Sequence, residues 1–277
     1  MFVAALIGAL VAAWRWFIAH RAAIVEWIVA WWHRQLRRPR LHRFRARYPR
    51  AWRFLAARFA RGEYLGLHLT LGLLVSVAGL WVFAGVTEDV IHHDPLTHFD
   101  VSLFDWLQAH STHGGLAIAR AISLLGSVLA MSLLAIGVAG VLALRRQGLL
   151  LQGWIAAFLG GGLLNEVLKR VIHRPRPTHA AMSALRSWSF PSGHAMGSLI
   201  GYGMLVYMLF ALVPSLRTRR MTILVCAALL VLGIGLSRLY LGVHYFSDVV
   251  GGFAAGALWL STSISGLEVA RRWRAEQ

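Results

Sequence analysis

The sequence predicts an all-α, polytopic membrane protein: a bundle of six transmembrane helices preceded by an N-terminal amphipathic or additional membrane helix. Three observations carry that prediction. Of the 277 residues, 58% are hydrophobic and only 14% charged, with a mean hydropathy of +0.61, which is too apolar for an ordinary soluble domain of this length. Six stretches reach the roughly 20 residues that a helix needs to cross a hydrocarbon core of about 30 Å. Basic residues gather at alternate links between those stretches, as the positive-inside rule expects of a chain threading a bilayer.

The N-terminal segment, residues 1–62, is basic: thirteen of the 28 Lys and Arg residues fall within the first 61 positions. It opens MFVAALIGALVAAW, without the basic n-region or cleavage site of a signal peptide. Written as a helix, Arg15, Ala22, Glu26 and His33 fall on one stripe, while Trp14, Phe17, Ile24, Trp27, Ile28 and Trp31 spread over the remainder. The Trp content and the continuation HRQLRRPRLHRFRARYPR favour a helix lying in the headgroup region over a seventh span. A basic arm also suits nucleic acid, but no helix-turn-helix, zinc or RNA-binding signature accompanies the arginines, so no nucleic-acid partner is expected.

The core, residues 63–266, holds the six apolar stretches, at 64–86, 121–144, 148–168, 194–213, 221–241 and about 246–266, and a short cytoplasmic tail, 267–277, follows. Glycine-rich runs within them, GGGLL, GSLIGYG and GGFAAGA, would let helices approach closely. Arg145 and Arg146, then Arg217, Arg219 and Arg220, then Arg271, Arg272 and Arg274 share one side with the N-terminal arginines, which places them in the cytoplasm. Residues 87–120, 169–193 and about 240–246 are thereby assigned to the opposite face. The first of these loops carries Glu88, Asp89, Asp94, Asp100 and Asp105. Cys226 is the only cysteine, so neither an intramolecular disulfide nor a thiolate metal site can form within the chain, and the bundle must be held by helix packing.

Polar residues interrupt this apolar pattern in three clusters, all on the face assigned to the outside. Lys169-Arg-Val-Ile-His-Arg-Pro-Arg176-Pro177 lies at the exit of the third span, Pro191-Ser192-Gly193-His194 opens the fourth, and Arg238, His244 and Asp248 bridge the fifth and sixth. Singly, each has a plain structural reading: basic residues snorkel at helix ends, Ser192 caps a helix, and His244 and Asp248 pair across one helix turn. Together they supply the parts of a phosphate site. Lys169, Arg176 and Arg238 offer three fixed positive charges, and the backbone N–H groups of Ser192 and Gly193 offer an anion nest at a helix start. Asp248 can orient one imidazole as a nucleophile, and His194 can protonate a leaving oxygen. Because the cations neutralise developing charge, no metal or other cofactor is expected. Lys169 is the only Lys among the 28 basic residues, which suits a place where a point charge must meet a single oxygen.

These residues match, without a gap, the motifs Lys-x6-Arg-Pro, Pro-Ser-Gly-His and Ser-Arg-x5-His-x3-Asp, and on them the chain resembles the type 2 phosphatidic acid phosphatase superfamily. The resemblance covers residues 64–266. It implies hydrolysis of a phosphomonoester or pyrophosphate through a phosphohistidine without metal, with His244 as the nucleophile, Asp248 as its support and His194 as the proton donor. Lys169, Arg176, Ser192, Gly193 and Arg238 would hold the phosphoryl oxygens. The implied substrates are lipids: undecaprenyl pyrophosphate, phosphatidylglycerol phosphate, phosphatidic acid, diacylglycerol pyrophosphate or a lipid A phosphate. The expected place is a bacterial cytoplasmic membrane, with the site facing the periplasm.

Two further residues are candidates for a supporting role: Glu166, one turn before Lys169, and Arg120, where the second span begins. The run His92-His93-Asp94 with His98 has a metal-like composition, but its spacing builds no recognisable site. Rival readings are a phosphotransferase using the same site, and a lipid transporter or scramblase. Transport would require polar residues at several depths, whereas the charges of the six stretches sit near one end, Glu166 apart.

Overall fold

The computed structural model describes residues 64–92, 94–177 and 187–275, together with isolated positions between 16 and 48. The chain divides into two compact units, Met1–Leu67 and His68–Gln277. The choice between an interfacial helix and a seventh span falls in the first unit and lies outside the described residues.

From Tyr64 onwards the described residues are α-helical apart from turns and one 3-10 segment. The helices are α1 (Tyr64–His92), α2 (Pro95–Ala109), α3 (His113–Leu124), α4 (Val128–Leu144), α5 (Gly148–Ile172), α6 (Gly193–Leu212), α7 (Arg220–Tyr240) and α8 (Phe246–Ala275), with the 3-10 segment Pro214–Arg219 before α7. Six spans among them are long and apolar enough to cross a membrane: Leu69–His92, His113–Leu144, Gly148–Ile172, Gly193–Leu212, Arg220–Tyr240 and Phe246–Arg274. The chain is an all-α membrane protein, as its composition predicts.

The structure adds order that the apolar pattern does not carry. The segment assigned to an outer loop contains α2, which starts with Asp94 as N-cap and Pro95 in its first turn and buries Asp100, Phe104 and Leu107. Its apolar residues recur at helical spacing but are too few for a span, so a reading tuned to 20-residue runs passes over it. The second span starts earlier than its apolar stretch, at His113, and breaks at Leu125–Ser127, where Ser127 caps α4 by accepting a bond from Ala130 N–H. The last helix runs on past residue 266 to Ala275.

Helix α6 lies at the centre, packed by α8, α7, α5 and α4, while α2 covers α7 and α8 at one end. The core is built on Trp154, Met196, Met204, Met208 and Leu142, each almost wholly buried. Its indoles are satisfied: Trp154 donates to the Ala135 carbonyl at 2.9 Å and Trp259 to the Ala157 carbonyl at 3.0 Å. A buried N–H without an acceptor would cost about 1–3 kcal/mol at each position. On the periphery Leu73, Trp81, Leu129, Ile136, Leu144, Leu159 and Leu163 are exposed, the outward apolar surface of a bundle solvated by lipid.

Candidate active site

Four local devices bring the polar clusters to one end of the bundle. Helix α5 stops at Ile172 because His173 takes a left-handed conformation (φ 53°) and the prolines that follow cannot continue a helix. The chain then turns back across the helix ends, carrying Arg174 and Arg176. Pro191 and Ser192 open α6. After α7, Gly242 adopts φ +67°, a conformation that a side chain disfavours, and the turn delivers His244 just ahead of α8.

His244 is 3% exposed and Asp248 fully buried, one helical turn apart. Asp248 Oδ2 accepts from His244 Nδ1 at 3.2 Å, from Tyr245 N–H at 2.9 Å and from the Ser189 hydroxyl. On the other side of the ring, Arg176 Nη1 lies 3.2 Å from His244 Nε2. A guanidinium only donates, so this bond requires the lone pair on Nε2, and the proton of the neutral ring must sit on Nδ1, facing Asp248. Both contacts therefore specify one tautomer, with Nε2 as the free base. Burial, partly offset by Asp248, lowers the His244 pKa from 6.5 to about 4 and keeps the ring neutral.

Lys169 and Arg176 meet at one backbone carbonyl: Trp188 O accepts from Lys169 Nζ at 2.5 Å and from Arg176 Nη2 at 3.4 Å. Arg176 also donates to Val243 O and Ser187 O, both at 2.8 Å. Arg238 is 6% exposed; its Nη1 donates to Ser123 Oγ at 2.5 Å, while its Nε is buried without a partner. His194 stands in the electrostatic field of Arg238, His244, Arg176 and Lys169. The break between α3 and α4 lies beside it, since a Cβ added at Gly126 would be 3.4 Å from His194 Cδ2.

Ser192 differs from its expected part. Its N–H is occupied by the Asp248 carbonyl at 2.9 Å, and its hydroxyl makes no capping bond. The group left over is Ser192 Oγ, buried with no partner. An orphaned hydroxyl and an orphaned guanidinium N–H in one cationic end suit an anion that would satisfy both. Gly193, as the first residue of α6, retains an N–H with no intrahelical acceptor.

The two supporting candidates stand apart. Glu166 is exposed and accepts from Arg170 Nε at 2.8 Å, rather than pairing with Lys169. Arg120 is exposed on α3. His93 lies outside the described residues, and among those described no three His, Cys, Asp or Glu side chains gather as a metal cluster.

Sequence reasoning passed over Ser189, Ser247 and the part played by Arg174 and Asp100. Arg174 Nη1 donates to Asp248 Oδ1 and Ser247 Oγ, both at 2.6 Å, and Nη2 to Asp100 Oδ2 at 2.8 Å. The only sequence signal was Arg174 sitting two residues before Arg176; nothing local points from Asp100 to a site 148 residues away.

One packing contact ties the site to the bundle. A Cβ on Gly252 would stand 2.7 Å from the Ser192 carbonyl and 3.1 Å from Ala195 Cβ, so α8 reaches the start of α6 only because position 252 has no side chain. Gly252→Ala is expected to cost about 1–3 kcal/mol, measured as a lowered thermal midpoint in detergent.

Residues 150–271 match the family model described as PAP2 superfamily. Phosphatidylglycerophosphatase B of Bacillus subtilis is 42% identical over 96 residues, 35% of this chain and 47% of that protein. The chain thus spans about half the length of the first curated relatives that it matches. Decaprenylphosphoryl-5-phosphoribose phosphatase of Mycobacterium tuberculosis is 32% identical over 151 residues, 52% of this chain and 76% of that protein. Among solved structures, a transmembrane PAP2 type phosphatidylglycerolphosphate phosphatase from Bacillus subtilis superposes with a TM-score of 0.64 at 27% identity, covering 70% of this chain and 96% of that one.

Proposed function

Because this chain belongs to the PAP2 superfamily, we propose that it is a membrane lipid phosphatase that cleaves a phosphomonoester or pyrophosphate by way of a phosphohistidine on His244. The observation that carries this reading is the double constraint on His244: a carboxylate behind Nδ1 and a cation before Nε2. A histidine held only for structure has no need of a guanidinium aimed at its basic nitrogen.

In the first step Nε2 attacks phosphorus after Arg176 turns from the ring to a phosphoryl oxygen. The bond from phosphorus to the leaving oxygen breaks, and protonated His194 gives its proton to that oxygen. The phosphorylated ring keeps its Nδ1–H on Asp248. Lys169, Arg176, Arg238, Ser192 Oγ and Gly193 N–H face the nonbridging oxygens, which carry the charge of the transition state. In the second step a water, losing its proton to His194, attacks phosphorus; inorganic phosphate leaves and both imidazoles return to their starting states. The cations supply the charge stabilisation that a metal gives elsewhere, which supports a metal-independent reaction.

Relatives named for phosphatidylglycerophosphate and for a decaprenylphosphoryl sugar phosphate share one chemistry, a phosphate group on a membrane lipid, and that class is the substrate proposed here. The site lies at the end of the bundle opposite Arg145, Arg146, Arg219 and Arg220, which by the positive-inside rule supports an outward, periplasmic mouth in a bacterial cytoplasmic membrane.

Purified protein in detergent with excess EDTA is expected to release inorganic phosphate from one or more of phosphatidylglycerol phosphate, phosphatidic acid and undecaprenyl pyrophosphate. Strict dependence on an added divalent ion overturns the mechanism. Label passing from the donor lipid to another lipid rather than to inorganic phosphate makes the protein a phosphotransferase.

A further inference from the structure

Asp248 takes part in more bonds than a carboxylate that merely orients an imidazole requires. Oδ2 is occupied by His244, Tyr245 N–H and Ser189, and Oδ1 by Arg174. Arg174 in turn uses its second nitrogen on Asp100, which is 1% exposed, and lays its guanidinium over the Tyr245 ring, 4.5 Å from the centroid. Asp100 then closes the circuit on the helix that bears Asp248: Oδ1 accepts Ser247 N–H at 2.9 Å and Oδ2 accepts the Ser247 hydroxyl. Since Ser247 sits in the first turn of α8, Asp100 caps that helix from α2. Ser189, the other hydroxyl on Asp248, is itself tied to this circuit by its N–H on the Arg174 carbonyl at 2.8 Å.

We propose that Arg174 and Asp100 form a positioning clamp on Asp248, which fixes the carboxylate against His244 and takes up its negative charge so that His244 Nε2 stays unprotonated. This rests on the phosphatase reading above for its catalytic meaning.

The charge count explains why the clamp needs two members. An ionised, fully buried carboxylate beside a histidine would otherwise draw a second proton onto the ring, and an imidazolium has no lone pair with which to attack phosphorus. Arg174 supplies the compensating charge from the side away from Nε2. Asp100 then balances Arg174: burial opposes the charge on Arg174, but Asp248 and Asp100 together outweigh it and raise its pKa. The remaining charged groups that face His244, Arg176 and Arg238, are cationic and act in the same direction as Arg174. Lysine could not replace Arg174, because one ammonium cannot bridge two carboxylates and stack on a ring at the same time.

The test compares Arg174→Gln, Arg174→Lys and Asp100→Asn with the unaltered protein in detergent, using two readouts. The first is the ring 15N signal of His244, assigned by its loss in His244→Asn and followed against pH without substrate. Arg174→Gln is expected to raise the imidazole pKa from about 4, because the uncompensated Asp248 charge then favours the imidazolium; Arg174→Lys, which keeps a charge, should move it less. The second readout is turnover of a lipid phosphate. All three variants should lower kcat by roughly 10–100-fold, with KM little changed.

Variants that lose only thermal stability, with the imidazole titration and kcat intact, would overturn the clamp and leave Arg174 a strut of the loop. If the unaltered protein hydrolyses no lipid phosphate, the functional reading fails, whereas the titration still decides whether Arg174 governs His244.

Discussion

His244→Ala is expected to abolish turnover of lipid phosphate, and with it the covalent phosphoenzyme that the proposed mechanism requires. A fall of roughly 10⁴–10⁶-fold is expected, because among the described residues no other histidine has a carboxylate behind its ring. The intermediate is itself measurable: rapid quenching of the unaltered protein with labelled substrate should trap phosphate on protein in a form stable to alkali and labile to acid, as a phosphoramidate is. The same experiment on the variant should trap none. Since His244 is almost wholly buried, the check on folding matters, and a monodisperse particle with a thermal midpoint near that of the unaltered protein supplies it. A folded variant that retains activity would remove His244 from the reaction and move the nucleophile elsewhere.

The bundle was legible because bilayer solvation imposes length and charge rules that each span obeys alone. Six apolar runs and the arginines between them predict six spans without any long-range information, and six are found among the described residues. The three motifs were legible for a related reason. Each lies at a helix end, and the parity of the spans puts all of those ends on one side of the membrane.

What escaped depends on contacts that no local pattern encodes. Asp100 read as one of several acidic residues in a loop, and only the docking of α2 on α8 brings it to Ser247 and Arg174. Glu166 looked like a partner for Lys169 because residues three apart are neighbours on a helix, but each takes another partner: Glu166 reaches Arg170 on the exposed face, and Lys169 turns inward to Trp188 O. Ser192 was read as a helix cap and, with Gly193, as a backbone nest for an anion. Its N–H proves to be taken by the Asp248 carbonyl of the neighbouring helix, and the group left for a ligand is its unpartnered hydroxyl.

His194 supports the second large expectation, and it separates the two histidines by the chemistry of the leaving group. If His194 protonates the departing oxygen, its need scales with the basicity of that oxygen. A lipid alkoxide leaves poorly without a proton, so His194→Ala should lower kcat on phosphatidic acid by roughly 10²–10⁴-fold. A nitrophenolate leaves unaided, so the same variant should form the phosphoenzyme from p-nitrophenyl phosphate at close to the normal rate. Hydrolysis of that phosphoenzyme still needs a base for water, and His194 is the residue proposed for it. The variant should therefore show a burst of about one nitrophenolate per active site followed by slow turnover, with phosphoprotein accumulating in proportion to the burst. Loss of activity by the same factor on both substrates, without a burst, would mean that His194 binds phosphate and moves no proton. The arrangement favours proton transfer. His194 is at the start of α6 beside Gly126, while the carboxylate that orients His244 is committed to His244, Tyr245, Ser189 and Arg174. No carboxylate is thus left over in that network to serve the leaving group, whereas His194 stands beside Lys169, Arg176 and Arg238, whose charge a bound phosphate would neutralise, so that the imidazole can carry the proton it delivers.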